Sequence, residues 1–121
     1  MKTILIVDDE NGITEEVKSY FEEEGYRVLT ADTGKEGMRL ILEGQPDLLI
    51  LDVKLPDISG IHILKFVKEN CPSVKVIVNT GYVDQNIIDE AEKLGQDCFL
   101  AKPFNLEKLC DEVTRLIGNP V

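Results

Sequence analysis

Five apolar runs of strand length punctuate the chain, at residues 4–7, 27–30, 48–51, 74–78 and 98–101. The stretches between them are mostly polar, with apolar side chains returning at the spacing of one helix face. Ile13, Val17, Tyr20 and Phe21 stand at i, i+4, i+7 and i+8, and Gly25 follows as a stop. Thr33, with Glu36 three residues on, reads as a capping box that opens a second helix, whose apolar face is Met38, Ile41 and Leu42. Ile61, Leu64 and Val67 mark a third helix. Asp84 is placed to cap a fourth, carrying Ile87, Ile88, Ala91 and Leu94 and stopped by Gly95. Asn105 is placed to cap a fifth, with Leu106, Leu109, Val113, Leu116 and Ile117 at helical spacing.

A strand followed by a helix, five times over, predicts parallel strands joined by right-handed crossovers, with helices on both faces. Strands covered on both faces read as unbroken apolar runs, as the first, third and fourth do. The 27–30 run is more mixed and is predicted to be an edge. The fold class is therefore α/β, a doubly wound five-stranded parallel sheet in the order 2-1-3-4-5. An up-and-down mixed sheet is the alternative, but it needs hairpin turns shorter than any connection here. No linker, repeat or low-complexity stretch breaks the pattern. Residues 1–121 read as one domain, with none left over for a DNA-binding or enzymatic unit, so the chain is either a stand-alone protein or a domain of a longer one.

Acidic residues outnumber basic ones 23 to 13, for a net charge of -10. That balance argues against nucleic acid or an anionic membrane as direct ligand, since phosphate binding needs neutralising cations. It suits a divalent cation or a basic protein surface. No apolar run approaches the ~20 residues of a membrane span. The first residues lack the long apolar region and cleavage site of a signal peptide. Cys71, Cys98 and Cys110 are odd in number and widely spaced, indicating neither a disulfide framework nor a zinc site. Reduced thiols in a cytoplasmic protein are the expectation.

In an open α/β sheet, ligands bind outside the carboxyl ends of the strands, near the point where strand order reverses. The first run is followed by Asp8, Asp9 and Glu10, the third by Asp52, the fourth by Asn79 and Thr80, and the fifth by Lys102 and Pro103. Each has an ordinary structural reading: Asp8 or Asp9 as a cap for the first helix, Lys102 as a solvated loop residue. Together they place a cluster of carboxylates, a hydroxyl and a lysine on one rim. Two like charges ~6 Å apart repel by roughly 3 kcal/mol at an effective dielectric of ~20. A hard dication with oxygen ligands, such as Mg2+, removes that repulsion and can share itself with a phosphate. Carboxylates, metal, hydroxyl and lysine are what phosphoryl transfer requires, because that reaction needs chiefly positioning and charge cancellation.

These residues resemble the receiver (phosphoacceptor) domains of two-component response regulators, the CheY-like family, over essentially the whole chain. The stretch Ile4-Leu5-Ile6-Val7-Asp8-Asp9-Glu10 is similar to the family's opening strand and acidic pair. Asp52 within Leu51-Asp52-Val53-Lys54-Leu55-Pro56-Asp57-Ile58-Ser59-Gly60 is similar to its phosphorylated aspartate, Thr80-Gly81 to its hydroxyl residue and small neighbour, and Lys102-Pro103-Phe104 to its lysine-proline pair. The resemblance implies that Asp52 takes a phosphoryl group from a phosphohistidine on a sensor histidine kinase or phosphotransfer protein, forming an acyl phosphate. It implies a Mg2+ cofactor held by Asp9 directly, by Asp8 partly through water, by Asp52 and by the backbone carbonyl of Lys54. Thr80 and Lys102 would each bind a phosphoryl oxygen. Thr80 and Phe99 would move together and reshape the surface of the fourth helix, fifth strand and fifth helix, signalling to a downstream protein or output domain. Such a domain catalyses only its own phosphorylation and dephosphorylation. A cis Lys102-Pro103 bond belongs to the same resemblance, and a phosphorylation-dependent dimer is left open by it.

Three positions depart from the family's commonest pattern. Phe99 lacks the hydroxyl of the frequent Tyr. Lys54, two residues after Asp52, brings a long cation near the site and is expected to alter the acyl phosphate's lifetime through water access. Tyr82, two after Thr80, is either a shield or simple loop packing. The rivals are a haloacid-dehalogenase-type phosphatase, a nucleotide-binding module and a receiver fold that has lost its chemistry. The first needs an aspartate where Lys54 stands, and the second a glycine-rich loop after the first strand. The third is opposed by the intact Asp8, Asp9, Asp52, Thr80 and Lys102.

Overall fold

The computed structural model describes residues 1–81 and 84–121. Strands and helices alternate as β1 (Thr3–Val7), α1 (Asn11–Glu24), β2 (Arg27–Ala31), α2 (Gly34–Gly44), β3 (Leu48–Leu51), α3 (Gly60–Asn70), β4 (Lys75–Thr80), α4 (Gln85–Leu94), β5 (Cys98–Ala101) and α5 (Leu106–Ile117). All strands pair in parallel, in the expected order β2-β1-β3-β4-β5. The reversal of strand order falls between β1 and β3, the neighbouring interior strands at the carboxyl ends of which Asp8 and Asp52 emerge.

Side-chain alternation along the strands divides the core in two. Leu5, Val7, Leu49, Leu51, Val76 and Val78 pack with Ile41 of α2, Ile63, Leu64 and Val67 of α3 and Ala91 of α4. Ile4, Ile6, Leu48, Ile50 and Ile77 pack with Val17 and Phe21 of α1 and Leu109 and Val113 of α5. β1 and β3 are buried along their whole length, as strands covered on both faces must be, whereas β2 leaves Arg27 exposed at the sheet's edge. Burying each Leu or Ile side chain contributes about 1.5–3 kcal/mol, which is what holds a charged rim on a rigid base.

Helix starts follow the expected caps at three places. Thr33 accepts from the Glu36 amide, Asp84 from that of Asn86 and Asn105 from that of Lys108. α1 differs: Glu10 holds its N-cap position and no side chain caps it, so neither Asp8 nor Asp9 plays that part. Leu42, expected on the buried face of α2, is largely exposed. The buried line runs instead through Gly34, Gly37 and Ile41. A Cβ on Gly37 would stand 2.9 Å from Val7 Cγ2, so the helix lies too close to β1 for any other residue there and turns Leu42 outward. β4 runs past its apolar stretch to include Asn79 and Thr80, opposite Leu100 and Ala101. Burial of Asn79 is tolerated because its side-chain amide donates to the Leu100 carbonyl at 3.0 Å.

α3 begins pressed onto the residue that leaves β3. A Cβ on Gly60 would meet the Asp52 carbonyl oxygen at 2.2 Å and Val53 Cα at 2.6 Å, whereas one on Gly12 in α1 would meet nothing within 4 Å. Gly60→Ala is expected to lose about 1–3 kcal/mol of stability, since backbone cannot step aside as a side chain can. Gly12→Ala is expected to gain up to about 1 kcal/mol from helix propensity. Urea unfolding of the two variants measures both.

Candidate functional site

The ladder between β1 and β3 sets Val7 opposite Leu51, so the next residues, Asp8 and Asp52, leave the sheet side by side. Backbone bonds continue past the strands: the Asp52 amide donates to the Val7 carbonyl at 2.9 Å and the Asp8 amide to that of Ala31 at 3.0 Å. From β5, the Lys102 amide donates to the Thr80 carbonyl at 2.9 Å, and the Lys102-Pro103 bond is cis. Four strands thereby present their chemistry on one rim.

The centre of the site is the Lys102 ammonium. Its Nζ lies 2.8 Å from Asp8 Oδ2, 2.9 Å from Asp52 Oδ2 and 2.6 Å from Glu10 Oε1. The side chains of Lys102, Asp8 and Asp52 are only 8%, 5% and 5% exposed, whereas that of Glu10 is exposed. Burial alone would push the ammonium down, but hydrogen bonds to Asp8, Glu10 and Asp52 outweigh it and hold the lysine above its ordinary pKa. Asp8 is pushed above the ordinary carboxylate value, chiefly by burial. Lys102 and the Glu10 amide, which donates to Asp8 Oδ1 at 2.9 Å, oppose that rise, and the Asp52 charge adds to it.

Carboxylate oxygens of Asp8, Glu10 and Asp52 lie within 4.8 Å of one another, the one such cluster among the described residues. A cleft of about 350 Å³ opens beside them, walled by Asp9, Glu10, Asp52, Lys54, Thr80 and Gly81 with Leu55 and Pro56. Asp9 is exposed at its mouth and stands outside the tight cluster. Thr80 is buried at the end of β4. The Lys54 amide donates to Asp52 Oδ1 at 3.1 Å, and its side chain is exposed. Phe99 sits in β5 opposite Val78, half-buried against the face that carries α3 and α4. Tyr82 lies outside the described residues. In the sequence Glu10 stands only as the last of three acids after the first strand. Its ion pair with a lysine 92 positions away follows from chain reversal at the rim, which no local pattern encodes.

The family model for the response regulator receiver domain matches residues 4–114. Sporulation initiation phosphotransferase F of Bacillus subtilis is 36% identical over 114 residues, covering 94% of this chain and 92% of that protein. A CheY-like receiver domain protein from Methanospirillum hungatei superposes with a TM-score of 0.93 at 34% identity, over 95% of this chain and 92% of that one. The chain belongs to the response regulator receiver family. Response regulator TrrA of Thermotoga maritima, solved in complex with Mg(2+)-BeF, superposes at 0.87 with 35% identity, over 97% of this chain and 100% of that one. Other curated relatives are longer, and the chain spans about half of their length. Among the described residues no helix is long and apolar enough to cross a membrane.

The receiver's donor set fits a hard dication. Mg2+ takes oxygen ligands, keeps waters and needs an open side. Three carboxylates supply the oxygens, the cleft supplies the open side, and one lysine leaves their charge under-compensated. The strain on Asp8 is testable without any metal. Its raised pKa means that the ionised form costs stability at neutral pH, and that this cost disappears as pH falls through the folded-state value. Asp8→Asn is therefore expected to be more stable than the parent at pH 7, with the gap closing as the medium becomes acid enough to protonate the parent's carboxyl. Urea unfolding at a series of pH values measures it, and a gap independent of pH contradicts it.

Proposed function

We propose that this receiver accepts a phosphoryl group on the Asp52 carboxylate, in a Mg2+-dependent transfer from a phosphohistidine on a sensor histidine kinase or phosphotransfer protein. The observation that carries the reading is Asp52 itself, a buried carboxylate on the wall of an open cleft with an ammonium 2.9 Å away. An Asp52 oxygen attacks phosphorus, the bond from phosphorus to the histidine nitrogen breaks, and the imidazole leaves with its electron pair. The product is an acyl phosphate, later hydrolysed by water. Asp8, Asp9, Asp52 and the Lys54 carbonyl would hold the ion, with Glu10 close by; bound there, Mg2+ supplies charge cancellation for the phosphoryl oxygens. Lys102 is placed to shift from Asp52 to a phosphoryl oxygen, and Thr80 to bind another. The likeness to a receiver solved with Mg(2+)-BeF supports this reading.

In this reading residues 1–121 act as one receiver domain in the cytoplasm, where Cys71, Cys98 and Cys110 remain free thiols. Phosphorylation biases Thr80, at the end of β4, and Phe99, within β5, and the surface of α4, β5 and α5 carries the change to a downstream protein or output domain. The only reaction catalysed is the gain and loss of its own phosphoryl group.

Incubation with Mg2+ and a small acyl-phosphate donor, followed by intact mass measurement, is expected to show one phosphoryl adduct that chelation of the metal abolishes and Asp52→Asn lacks. Turnover of unrelated phosphomonoesters would indicate a phosphatase, and no adduct a binding module. Lys54→Ala is expected to shorten the adduct's lifetime, because the side chain at the cleft mouth restricts water. Equal dephosphorylation rates in the two proteins would contradict that role.

A further inference from the structure

The β3–α3 loop, residues 52–59, carries Lys54, Leu55 and Pro56 along one wall of the cleft. Its far end is fastened to a different element. Asp57 Oδ1 accepts from the Gly34 amide at 2.7 Å and from Ile58 at 3.0 Å, and Asp57 Oδ2 accepts from Lys35 at 2.9 Å. The carboxylate of one loop thus caps the first turn of a helix that begins 23 residues earlier. With the Thr33 side chain accepting from Glu36, the Gly34, Lys35 and Glu36 amides, which have no carbonyl partner within α2, are all satisfied. The Lys35 and Gly34 amides hold the Asp57 carboxyl below its ordinary range, as expected for an anion at a helix N-terminus.

Packing reinforces the bond. Gly34 has no side chain, and a Cβ there would stand 2.2 Å from Ile58 Cγ1, so the loop lies directly on α2. Three residues on, a Cβ on Gly37 would stand 2.9 Å from Val7, the residue before Asp8. A short rigid path therefore runs from Asp57 through the first turn of α2 to the end of β1. On one side of the cleft it ends at Asp8, Asp9 and Glu10, and on the other at the loop that carries Lys54.

We propose that Asp57 is a positioning residue for the phosphoryl site: by tying the 52–59 loop to α2, it sets the gap between the Lys54 carbonyl and the carboxylates that follow β1. The inference rests on the proposed Mg2+-dependent transfer to Asp52. Asp57 touches none of the reacting groups, so its effect falls on how well the ion's oxygen donors are spaced. Outer groups that fix metal ligands in place characteristically act on affinity.

Calorimetric titration of Mg2+ into the parent, Asp57→Ala and Asp57→Asn tests this, alongside adduct formation from an acyl-phosphate donor as a function of Mg2+. Asp57→Ala is expected to raise the Mg2+ dissociation constant about tenfold and to move the Mg2+ dependence of adduct formation by the same factor. The maximal rate at saturating Mg2+ stays unchanged. Asp57→Asn keeps the Oδ1 acceptor and is expected to recover most of the affinity; should Asp57→Ala fail to fold, Asp57→Asn carries the test with a smaller rise. Parental Mg2+ affinity in the folded variants, or a fall in maximal rate without a change in affinity, overturns the positioning role. A parent that neither binds Mg2+ nor forms the adduct overturns the underlying function instead.

Discussion

A buried charge must be answered by a nearby opposite one, and the rim of this sheet answers two buried aspartates and an exposed glutamate with a single ammonium. At about 3 Å and an effective dielectric of ~20, each contact between Lys102 and a buried aspartate is worth on the order of 5 kcal/mol of Coulomb attraction before desolvation is counted, and the exposed Glu10 adds much less. That attraction draws Asp8, Glu10 and Asp52 into one cluster. It does not balance them: formal charge at the cluster stays negative, and Asp8 remains harder to ionise than an ordinary aspartate. The same imbalance that costs stability makes the site receptive to a dication, the usual trade between a functional site and a stable one.

The parallel sheet makes such a cluster affordable in structural terms. Residues after adjacent parallel strands leave on the same edge, so Asp8 and Asp52 are neighbours because Val7 and Leu51 are. Thr80 and Lys102 are joined in the same way, through the pairing of Thr80 with Ala101. Two apolar layers hold these strands. The helices then add their own constraints, with α3 pressed on the Asp52 backbone and α2 pressed on β1 and the loop after β3. Rigidity at the rim is thus a consequence of close packing beneath it.

Most of this was legible in the sequence wherever the signal is periodic or local. Unbroken apolar runs marked β1, β3 and most of β4 as covered on both faces, and the strand-helix alternation pointed to a parallel doubly wound sheet. Caps at Thr33, Asp84 and Asn105 were readable because capping depends on residues a few positions apart. Asp8, Asp52, Thr80 and Lys102 were readable because each follows or ends a strand. What escaped depends on distance in space. Leu42 has the right spacing for the core, but Gly37 lets α2 approach so closely that the buried line shifts. Asn79 looks like loop, yet a side-chain bond to Leu100 keeps it in the ladder. Glu10 and Asp57 are ordinary surface acids in the sequence and acquire partners only through tertiary contact.

On the proposed function, residues from four strand ends form one magnesium-receptive pocket around Asp52. Titrating Mg2+ into isotopically labelled protein and following backbone amide resonances tests it most directly. The largest shifts are expected to fall together on residues 8–10, 52–54, 80–81 and 102. Shifts scattered over the acidic surface, or concentrated away from Asp52, would contradict it.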